Sequence, residues 1–534
     1  MFRLKNYCQL RRRFMTSIAN EYQLKCGLEI HTQLNTEKKL FSLAKNDPFG
    51  SISSPNHHVS YFDAALPGTR PILNYECVLK ALKLAISLNC DVNLNSHFDR
   101  KHYFYGDQPQ GYQLTQHYSP IASNGYLNLH SDIDNLDTPT KKINIIQLQL
   151  EQDTGMSHYD NYEKKTMIDL NRSNVPLIEL VTEPNFDSVP QVIAFLKKYQ
   201  NLVRRINVST GNLETGAIRV DVNVSVGDYP RVELKNLSNT SSISNAIKYE
   251  YDRQINIIKQ GKAAELLRYE ETRGWNGYET IKLRSKETTI DYRYMPDPEL
   301  GCIRLDYSII KDIKKSLPIS TDDEIRIFLN EPYNLSLKNA KLLCIQNGKN
   351  EYYTNEEVKK YYLDSFNLFR EVIPPSFERD CKIIANWVIN ELLGDLNKLE
   401  LPLKNIQELF PPTKFIEFIK LLQNGKVSNT GGKRLLFYIL ENIQTKQFKG
   451  NIDLQYLIQK LNIEIKSSVD GEELLKQCQS IIDNINNPKL IENIKSGKKK
   501  NSLNYLVGIA MRQTRGRVKP TEYQRIFKNI LMIK

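Results

Sequence analysis

A strict alternation of apolar and polar residues over positions 218–226 constrains the fold of this chain more than any other feature. The sequence there reads IRVDVNVSV, and a turn at 227–230 leads into RVELK at 231–235. A period of two predicts β-strands with one face on a core and the other face open. If the two runs pair as a hairpin, their apolar residues share one face and their polar residues share the other.

The same alternation occurs in two earlier stretches. Near the N-terminus, residues 28–34 read LEIHTQL, which places Glu29 and His31 two residues apart on one polar face. A second strand is predicted around residues 146–153, and its polar face ends in Glu151 and Asp153. Both stretches therefore predict strands whose polar faces carry metal-binding side chains.

An apolar segment at 167–184 carries carboxylates. It reads as two short buried strands around a turn at Ser173-Asn174, and it contains Asp169, Glu179 and Glu183. A buried carboxylate is costly unless it is paired or ligates a metal. We therefore expect a function for these side chains.

Together these strands predict an open sheet face that is rich in charged groups. The face would present Glu29, His31, Glu151, Glu179, Asp221 and Glu233 beside Arg219, Arg231 and Lys235. Mg²⁺ favours carboxylate oxygens and keeps substrate phosphates as further ligands, and basic residues can neutralise a phosphoryl group in transfer. His31 suits Mn²⁺ or Zn²⁺ better than Mg²⁺, or it supports a ligand without touching the ion. Neither a Walker A loop nor a G-x-G-x-x-G motif is present, so a nucleotide would bind by another route.

The second half of the chain is predicted to be helical. From about residue 358 apolar residues recur at helical spacing, with helix ends expected at Gly394 and Gly425. The C-terminal region concentrates cations that suggest contact with a phosphate backbone, and the net charge of +12 agrees with a polyanionic partner. These cations are Lys498, Lys499, Lys500, Arg512, Arg515 and Arg517. A solvated charge run is the alternative interpretation.

The expected fold class is α+β, with several domains. We expect a sheet domain over 21–304, a linker or small insert over 305–357, a helical domain over 358–450 and a helical tail over 451–534. Residues 1–20 are rich in arginine and contain no acidic residue, which is typical of a mitochondrial transit peptide, although a disordered basic start has the same composition. No apolar run approaches the roughly 18 to 20 residues that a membrane span needs.

Several long motifs resemble one known family. GLEIHTQL, ALPGT, FDRKHYFY, DLNRSNVPLIELVTEP, DVNVSV, RVELKNL, LRSKETTIDYRYMPDPEL and LVGIAMRQTRGRVKP are similar, in this order, to the B subunit of the glutamyl-tRNA(Gln) amidotransferases. The resemblance implies a cradle domain similar to glutamine synthetase, then a helical domain and a tail that holds tRNA. It also implies a mitochondrial matrix ligase that forms a carbon–nitrogen bond. In the reaction that the resemblance implies, ATP with Mg²⁺, or Mn²⁺, would activate Glu-tRNA(Gln) as a γ-glutamyl phosphate, and ammonia from a partner amidase would give Gln-tRNA(Gln).

The resemblance also assigns roles to single residues. It implies a metal site at Glu29, His31 and Glu151 and an ammonia tunnel lined by Lys101, in a complex with the amidase and a small third subunit. We add Glu179 and Asp221 to the predicted metal and nucleotide site because they lie on the same predicted sheet face. Arg219 and Lys235, with Arg231 and Glu233, are added as phosphate or nucleotide partners because of the face that they share.

The chain departs from the family pattern at three glutamines. Gln110 stands where many relatives have a second lysine, and Gln149 and Gln152 replace His and Glu of an HLEED motif. These changes affect the expected tunnel and the surroundings of the metal. Two other functions are compatible with the same residues: a tRNA-holding scaffold with a degenerate metal site, and a carboxylate-metal nuclease that needs no ATP.

Overall fold

The computed structural model describes ten stretches of the chain. They are residues 22–47, 54–285, 291–345, 352–372, 382–448, 450, 452–465, 471–484, 502–514 and 518–531. The chain divides into two compact units, Met1–Ser320 and Thr321–Lys534. The predicted transit peptide at 1–20 lies outside the described residues.

A nine-stranded sheet organises the first unit. Its strands are β1 (Leu24–Gln33), β2 (Asp91–Val92), β6 (Ala122–His130), β7 (Thr140–Gln152), β10 (Pro176–Thr182), β11 (Ile218–Val226), β12 (Val232–Lys235), β13 (Glu271–Trp275) and β14 (Thr280–Ser285). Their order is β14-β13-β12-β11-β1-β10-β7-β6-β2, and all neighbours are antiparallel except β12 and β13, which are parallel. The predicted hairpin of β11 and β12 is confirmed, and β1 lies at the centre of the sheet.

One face of this sheet carries the hydrophobic core of the first unit. Leu28 and Ile30 of β1 and Val222 of β11 are fully buried there, among apolar residues of three long helices. The helices of the unit are α1 (Tyr75–Ser87), α2 (Ser131–Asp134), α3 (Val189–Arg205), α4 (Thr240–Lys259), α5 (Ala263–Leu266) and α6 (Tyr307–Ser316). Asn74 caps α1, because its side chain accepts a hydrogen bond from the backbone N–H of Glu76 at 3.0 Å. The helices cover the apolar face of the sheet, so the polar side chains of the central strands lie on the opposite face.

Short strands complete the first unit beside the main sheet. They are β3 (Asn95–Ser96), β4 (Asp99–His102), β5 (Tyr112–Thr115), β8 (Met156–Asp160), β9 (Lys165–Asp169), β15 (Met295–Pro296) and β16 (Ile303–Arg304). β4 pairs with both β5 and β15 in a three-stranded sheet. This small sheet joins the motif FDRKHYFY to the segment that follows residue 290.

The second unit is helical in its described residues. Its helices are α7 (Thr321–Leu329), α8 (Leu337–Cys344), α9 (Asn355–Val372), a π-helical segment (Asn386–Leu392), α10 (Leu393–Lys398), α11 (Leu403–Ile406), α12 (Pro412–Gln423), α13 (Asn429–Gln444), α14 (Leu454–Leu461), α15 (Gly471–Asp483), α16 (Ser502–Gln513) and α17 (Pro520–Leu531). Among the described helices, none combines the length and the apolar character that crossing a membrane requires.

Two glycines expected to end helices behave differently. Gly425 lies just beyond α12 with a φ of 68°, the left-handed conformation in which glycine ends a helix. Gly394 lies inside α10, and the helix continues to Lys398. The prediction at Gly394 is therefore wrong, because a glycine ends a helix only where the backbone leaves the right-handed conformation.

Gly125 in β6 is packed too closely to accept a side chain. A Cβ atom there would overlap the Cys90 Sγ and would lie 2.9 Å from the carbonyl oxygen of Leu88. We expect Gly125→Ala to lower the free energy of unfolding by about 1–3 kcal/mol, as overpacked cores do. Urea denaturation of the full chain measures this change. Gly301→Ala is the control, since a Cβ at Gly301 meets nothing within 4 Å, and equal stability of the two variants would contradict the prediction.

Candidate metal and phosphate site on the polar face of the sheet

The register of the central strands brings their polar side chains together. On β1, His31 lies opposite Glu179 of β10 and opposite Arg219 of β11, while Glu29 lies opposite Asp221. Asn223 of β11 lies opposite Glu233 of β12. Because directly opposite residues project from the same side of an antiparallel pair, these groups share one face.

The first group on this face is the histidine cluster, which we define as His31, Glu151 and Glu179. The Nε2 atom of His31 lies 3.2 Å from the Glu151 Oε1 and 3.8 Å from the Glu179 Oε1. Burial lowers the pKa of His31, but the hydrogen bond and charge of Glu151 and the charge of Glu179 raise it to about 9. Burial and the neighbouring Glu151 raise the pKa of Glu179 to about 7. Two carboxylates therefore share one imidazolium in a buried site.

The second group is the carboxylate cluster, which we define as Glu29, Asp221 and Glu233. One oxygen from each of these three side chains lies within 4.8 Å of the others. The Lys235 ammonium donates to the Asp221 Oδ2 at 2.6 Å and pairs with the Glu233 Oε1 at 3.0 Å. Burial lowers the pKa of Lys235, but these two carboxylates raise it above its ordinary value. Lys235 therefore carries a proton at neutral pH.

The structure distributes the expected ligand set over these two clusters. Glu29, His31 and Glu151 lie on the same face, but Glu29 joins Asp221 while His31 joins Glu151 and Glu179. Residues two apart on a strand are separated by about 6.8 Å along it, so adjacent polar side chains of β1 reach different neighbours. Two candidate ion sites therefore stand where the sequence predicted one.

Arg219 reaches a carboxylate that the sequence did not assign to the site. Its Nη2 donates to the Asp153 Oδ2 at 2.8 Å, and the charge of Asp153 raises the pKa of Arg219. Arg172 approaches the same oxygen at 3.8 Å. The sequence could have indicated Asp153 as a site residue, because it follows Glu151 by two positions on the predicted polar face. Arg172 is recognised as a neighbour of the site only from its distance to Asp153 in the structure.

Arg231 pairs with a carboxylate that belongs to neither cluster. Its side chain is half exposed, and its Nε atom pairs with the Glu270 Oε1 at 3.3 Å. The residue precedes β12, which begins at Val232, so the alternation of that strand does not fix its direction. Its place beside Glu233 therefore stays a prediction.

Lys101 lies on β4, and its charge interacts with the histidine cluster. Burial lowers the pKa of Lys101, but Glu151 first, and then Tyr294 and Glu179, raise it above its ordinary value. Its Nζ atom lies 4.9 Å from the centre of the Tyr292 ring. A protonated amine thus lies near the histidine cluster.

The three glutamines that depart from the family pattern form neutral hydrogen bonds. Gln149 donates to the Glu179 Oε2. The amide of Gln152 donates to the Gln110 Oε1 at 3.0 Å, and Gln110 donates to the backbone carbonyl of Phe62 at 3.0 Å. Gln149 therefore contacts the histidine cluster through an uncharged amide, while the amides of Gln152 and Gln110 bond to each other and to the backbone.

The donor set of the carboxylate cluster fits a divalent cation. Its three carboxylates face one ammonium, that of Lys235, and one amide donor, Asn223, whose Nδ2 lies 2.9 Å from the Glu29 Oε1. The Oδ1 atom of Asn223 is buried and has no hydrogen-bond partner among the described residues. Carboxylate and amide oxygens with excess negative charge are what Mg²⁺ prefers.

The predicted tRNA-binding cations fall mainly outside the described residues. Lys498, Lys499, Lys500, Arg515 and Arg517 are not among them. Arg512 lies in the last turn of α16, and it is exposed. The position of Arg512 leaves its guanidinium accessible to a partner.

Comparison with known proteins shows the family of the chain. Residues 24–311 match the family described as the GatB/GatE catalytic domain, and residues 367–531 match the one described as the GatB domain. The chain is 56% identical to the B subunit of the mitochondrial glutamyl-tRNA(Gln) amidotransferase of Vanderwaltozyma polyspora, with 96% of each chain covered. It is 53% identical to the protein of the same name from Saccharomyces cerevisiae, covering 96% of this chain and 95% of that one. The chain therefore belongs to the GatB/GatE family, as the B subunit of a glutamyl-tRNA(Gln) amidotransferase.

Proposed function

We propose that this protein activates the glutamate of Glu-tRNA(Gln) with ATP and amidates it to give Gln-tRNA(Gln), as a carbon–nitrogen ligase. A carboxylate is a poor acyl donor until one of its oxygens becomes part of a leaving group. The γ-carboxylate oxygen would attack the γ-phosphorus of ATP and release ADP. Ammonia would then attack the γ-carbon and release inorganic phosphate.

The observation that carries this proposal is the convergence of two carboxylate-bearing clusters and two cations on one sheet face, with a third cation, Lys101, on the neighbouring small sheet. Arg219, Lys235 and Lys101 lie where negative charge would build up as a phosphoryl group moves between oxygens. Asp153 orients the guanidinium of Arg219, and the Nε atom of that guanidinium is buried without a hydrogen-bond partner in the described part of the chain. It is therefore a donor available to an incoming phosphate.

A divalent cation fits this chemistry. Mg²⁺, or Mn²⁺, would be held by carboxylates of the two clusters, and such an ion supplies electrostatic stabilisation of phosphate oxygens. The Nε2 of His31 lies 3.2 Å from the Glu151 Oε1, so these two side chains hold each other in place. Lys235 fixes Asp221 and Glu233 in the same way on the other side.

The remaining features of the proposal rest on the family to which the chain belongs. The first unit would be the cradle similar to glutamine synthetase, and the helical unit with its C-terminal cations would hold tRNA. Ammonia would come through a tunnel lined by Lys101 from a partner amidase, in a heterotrimer with a small third subunit. The names of the relatives place them in mitochondria, so we propose the mitochondrial matrix for this chain.

The test is reconstitution of the whole complex. The full chain, purified with its partner subunits, is mixed with Glu-tRNA(Gln), ATP, Mg²⁺ and glutamine, and Gln-tRNA(Gln) is quantified. Formation that requires ATP supports the proposal. An ATP-independent loss of intact tRNA would instead indicate a nuclease. Full activity of complexes that lack the cluster carboxylates would indicate a scaffold.

A further inference from the structure

A cleft lined by aromatic rings adjoins the candidate site. We call it the aromatic cleft and define it by Lys101, Tyr103, Phe104, Tyr105, Tyr292 and Arg293; its volume is about 820 Å³. A cleft of this size falls in the range of small-molecule sites. Its first four residues belong to the motif FDRKHYFY, and the proposed chemistry gives most of them no role.

Hydrogen bonds of the small sheet fix the two walls of the cleft. The backbone N–H of His102 donates to the carbonyl oxygen of Tyr292 at 2.8 Å, and the Nδ1 of His102 lies 2.9 Å from the carbonyl oxygen of Arg293. Arg293 has a left-handed φ of 46°. A non-glycine residue takes this conformation at a cost and keeps it only where neighbouring contacts hold it. The exposed side chain of Arg293 is therefore carried by a fixed turn at the mouth of the cleft.

The rings of the cleft have faces that the protein leaves uncovered. Phe104 is 86% exposed and Tyr105 is 62% exposed. The ring of Phe104 packs against the backbone at Gly111, where an added Cβ would lie only 3.1 Å from it. The rest of the ring is exposed to solvent. Tyr103 lies edge-on to Tyr105, with ring centres 5.6 Å apart. Nucleobases stack on rings of this kind at sites that bind single-stranded RNA.

The small sheet connects one wall of the cleft to the strand that carries Glu151. Lys101 lies opposite Gln113 in that sheet, and the Gln113 Nε2 donates to the backbone carbonyl of Gln152, the neighbour of Glu151, at 2.7 Å. Burial lowers the pKa of Lys101 and raises that of Tyr103, and the charge of Glu151 raises both. A molecule in the cleft would thus have Arg293 on one wall and, on the other, residues whose sheet is hydrogen-bonded to the strand of Glu151.

We infer that the aromatic cleft binds the 3′-terminal adenosine of the acylated tRNA, an inference that rests on the proposed function. The glutamate to be activated is esterified to the ribose of that nucleotide, so the nucleotide must lie within one amino acid of the carboxylate clusters. Its base stacks on Phe104 and Tyr105, and Arg293 contacts its 5′-phosphate. ATP also contains adenosine, but its triphosphate lies between the base and the γ-phosphorus, which places its base farther from the clusters.

The test uses the complete complex and a minimal probe, 3′-deoxy-3′-(glutamylamido)adenosine, which carries the terminal nucleoside and its glutamate without the tRNA. Stacking of one base on an aromatic ring contributes about 1–3 kcal/mol, so Phe104→Ala should raise the Kd of the probe about 5- to 140-fold. The KM for Glu-tRNA(Gln) should rise in the same variant, with the KM for ATP unchanged. Arg293→Ala should raise the KM for Glu-tRNA(Gln) and leave the KM for ATP unchanged.

Tyr162→Ala is the matched control, because Tyr162 is a 96% exposed ring in the same unit, and it should behave as wild type. A rise in the KM for ATP alone would overturn the inference and assign the cleft to ATP. A defect confined to the use of glutamine, or no change in any constant, would overturn it as well. Equilibrium dialysis of the probe needs no turnover, so failure of the wild-type complex to form Gln-tRNA(Gln) would count against the proposed function and not against the cleft.

Discussion

We expect replacement of Glu151 with glutamine to lower the rate of Gln-tRNA(Gln) formation at least about 100-fold, with little change in the affinity for tRNA. Glu151 is 3% exposed, and it accepts a hydrogen bond from His31 at 3.2 Å. Burial raises the pKa of Glu151, but the hydrogen bond and charge of His31 lower it below its ordinary value, so the carboxylate is ionised at neutral pH. Groups that merely support a metal ligand contribute 10- to 100-fold to activity, and a carboxylate inside the pocket should contribute more.

The measurement is the initial rate of the reconstituted complex, together with filter binding of Glu-tRNA(Gln). Glu163→Gln is the control, because Glu163 belongs to the same unit and its side chain is 54% exposed. Both variants should assemble with the partner subunits and melt near the wild-type temperature. Wild-type rates in Glu151→Gln would show that the pocket is degenerate and that the protein serves as a scaffold.

The local pattern of the sequence predicted the central strands because their environment is two-sided. Ile218, Val220 and Val222 alternate with polar residues, and the core on one face of the sheet and the pocket on the other impose that period of two. The same reasoning placed Glu29 and His31 on one face. The position of each strand in the chain, and the sheet face to which each of its side chains points, thus follow from the order of residues alone.

The grouping of ligands could not be predicted in the same way. Glu29 pairs across the sheet with Asp221 and His31 with Glu179, and these partners lie more than 140 positions away in the chain. Register between distant strands depends on the whole fold. Asp153 was not assigned to the site because its contact with Arg219 joins the end of β7 to β11, and these strands are not neighbours in the sheet.

A buried ion pair in the first unit is a second feature that the sequence did not reveal. Lys39 and Asp63 are both fully buried, and the Lys39 Nζ donates to the Asp63 Oδ2 at 3.0 Å and to the carbonyl oxygen of Leu170 at 3.3 Å. The other oxygen of Asp63 accepts from the Asn174 Nδ2 at 2.8 Å. Burial lowers the pKa of Lys39, and the charge of Asp63 opposes this shift. The pair therefore ties the turn that carries Arg172 to two other segments.

Lys39→Met is expected to lower the free energy of unfolding by about 3–5 kcal/mol, because it leaves the carboxylate of Asp63 buried without its counter-ion. The double variant Lys39→Met/Asp63→Asn should recover part of this loss, since a neutral amide keeps an acceptor for Asn174 and needs no counter-ion. Urea denaturation of the full chain measures both. Lys165→Met is the control, because Lys165 pairs with Glu163 at 2.8 Å but is 70% exposed, and it should change the free energy of unfolding by less than about 0.5 kcal/mol. If Lys39→Met were no more destabilising than Lys165→Met, the pair would not hold the turn in place.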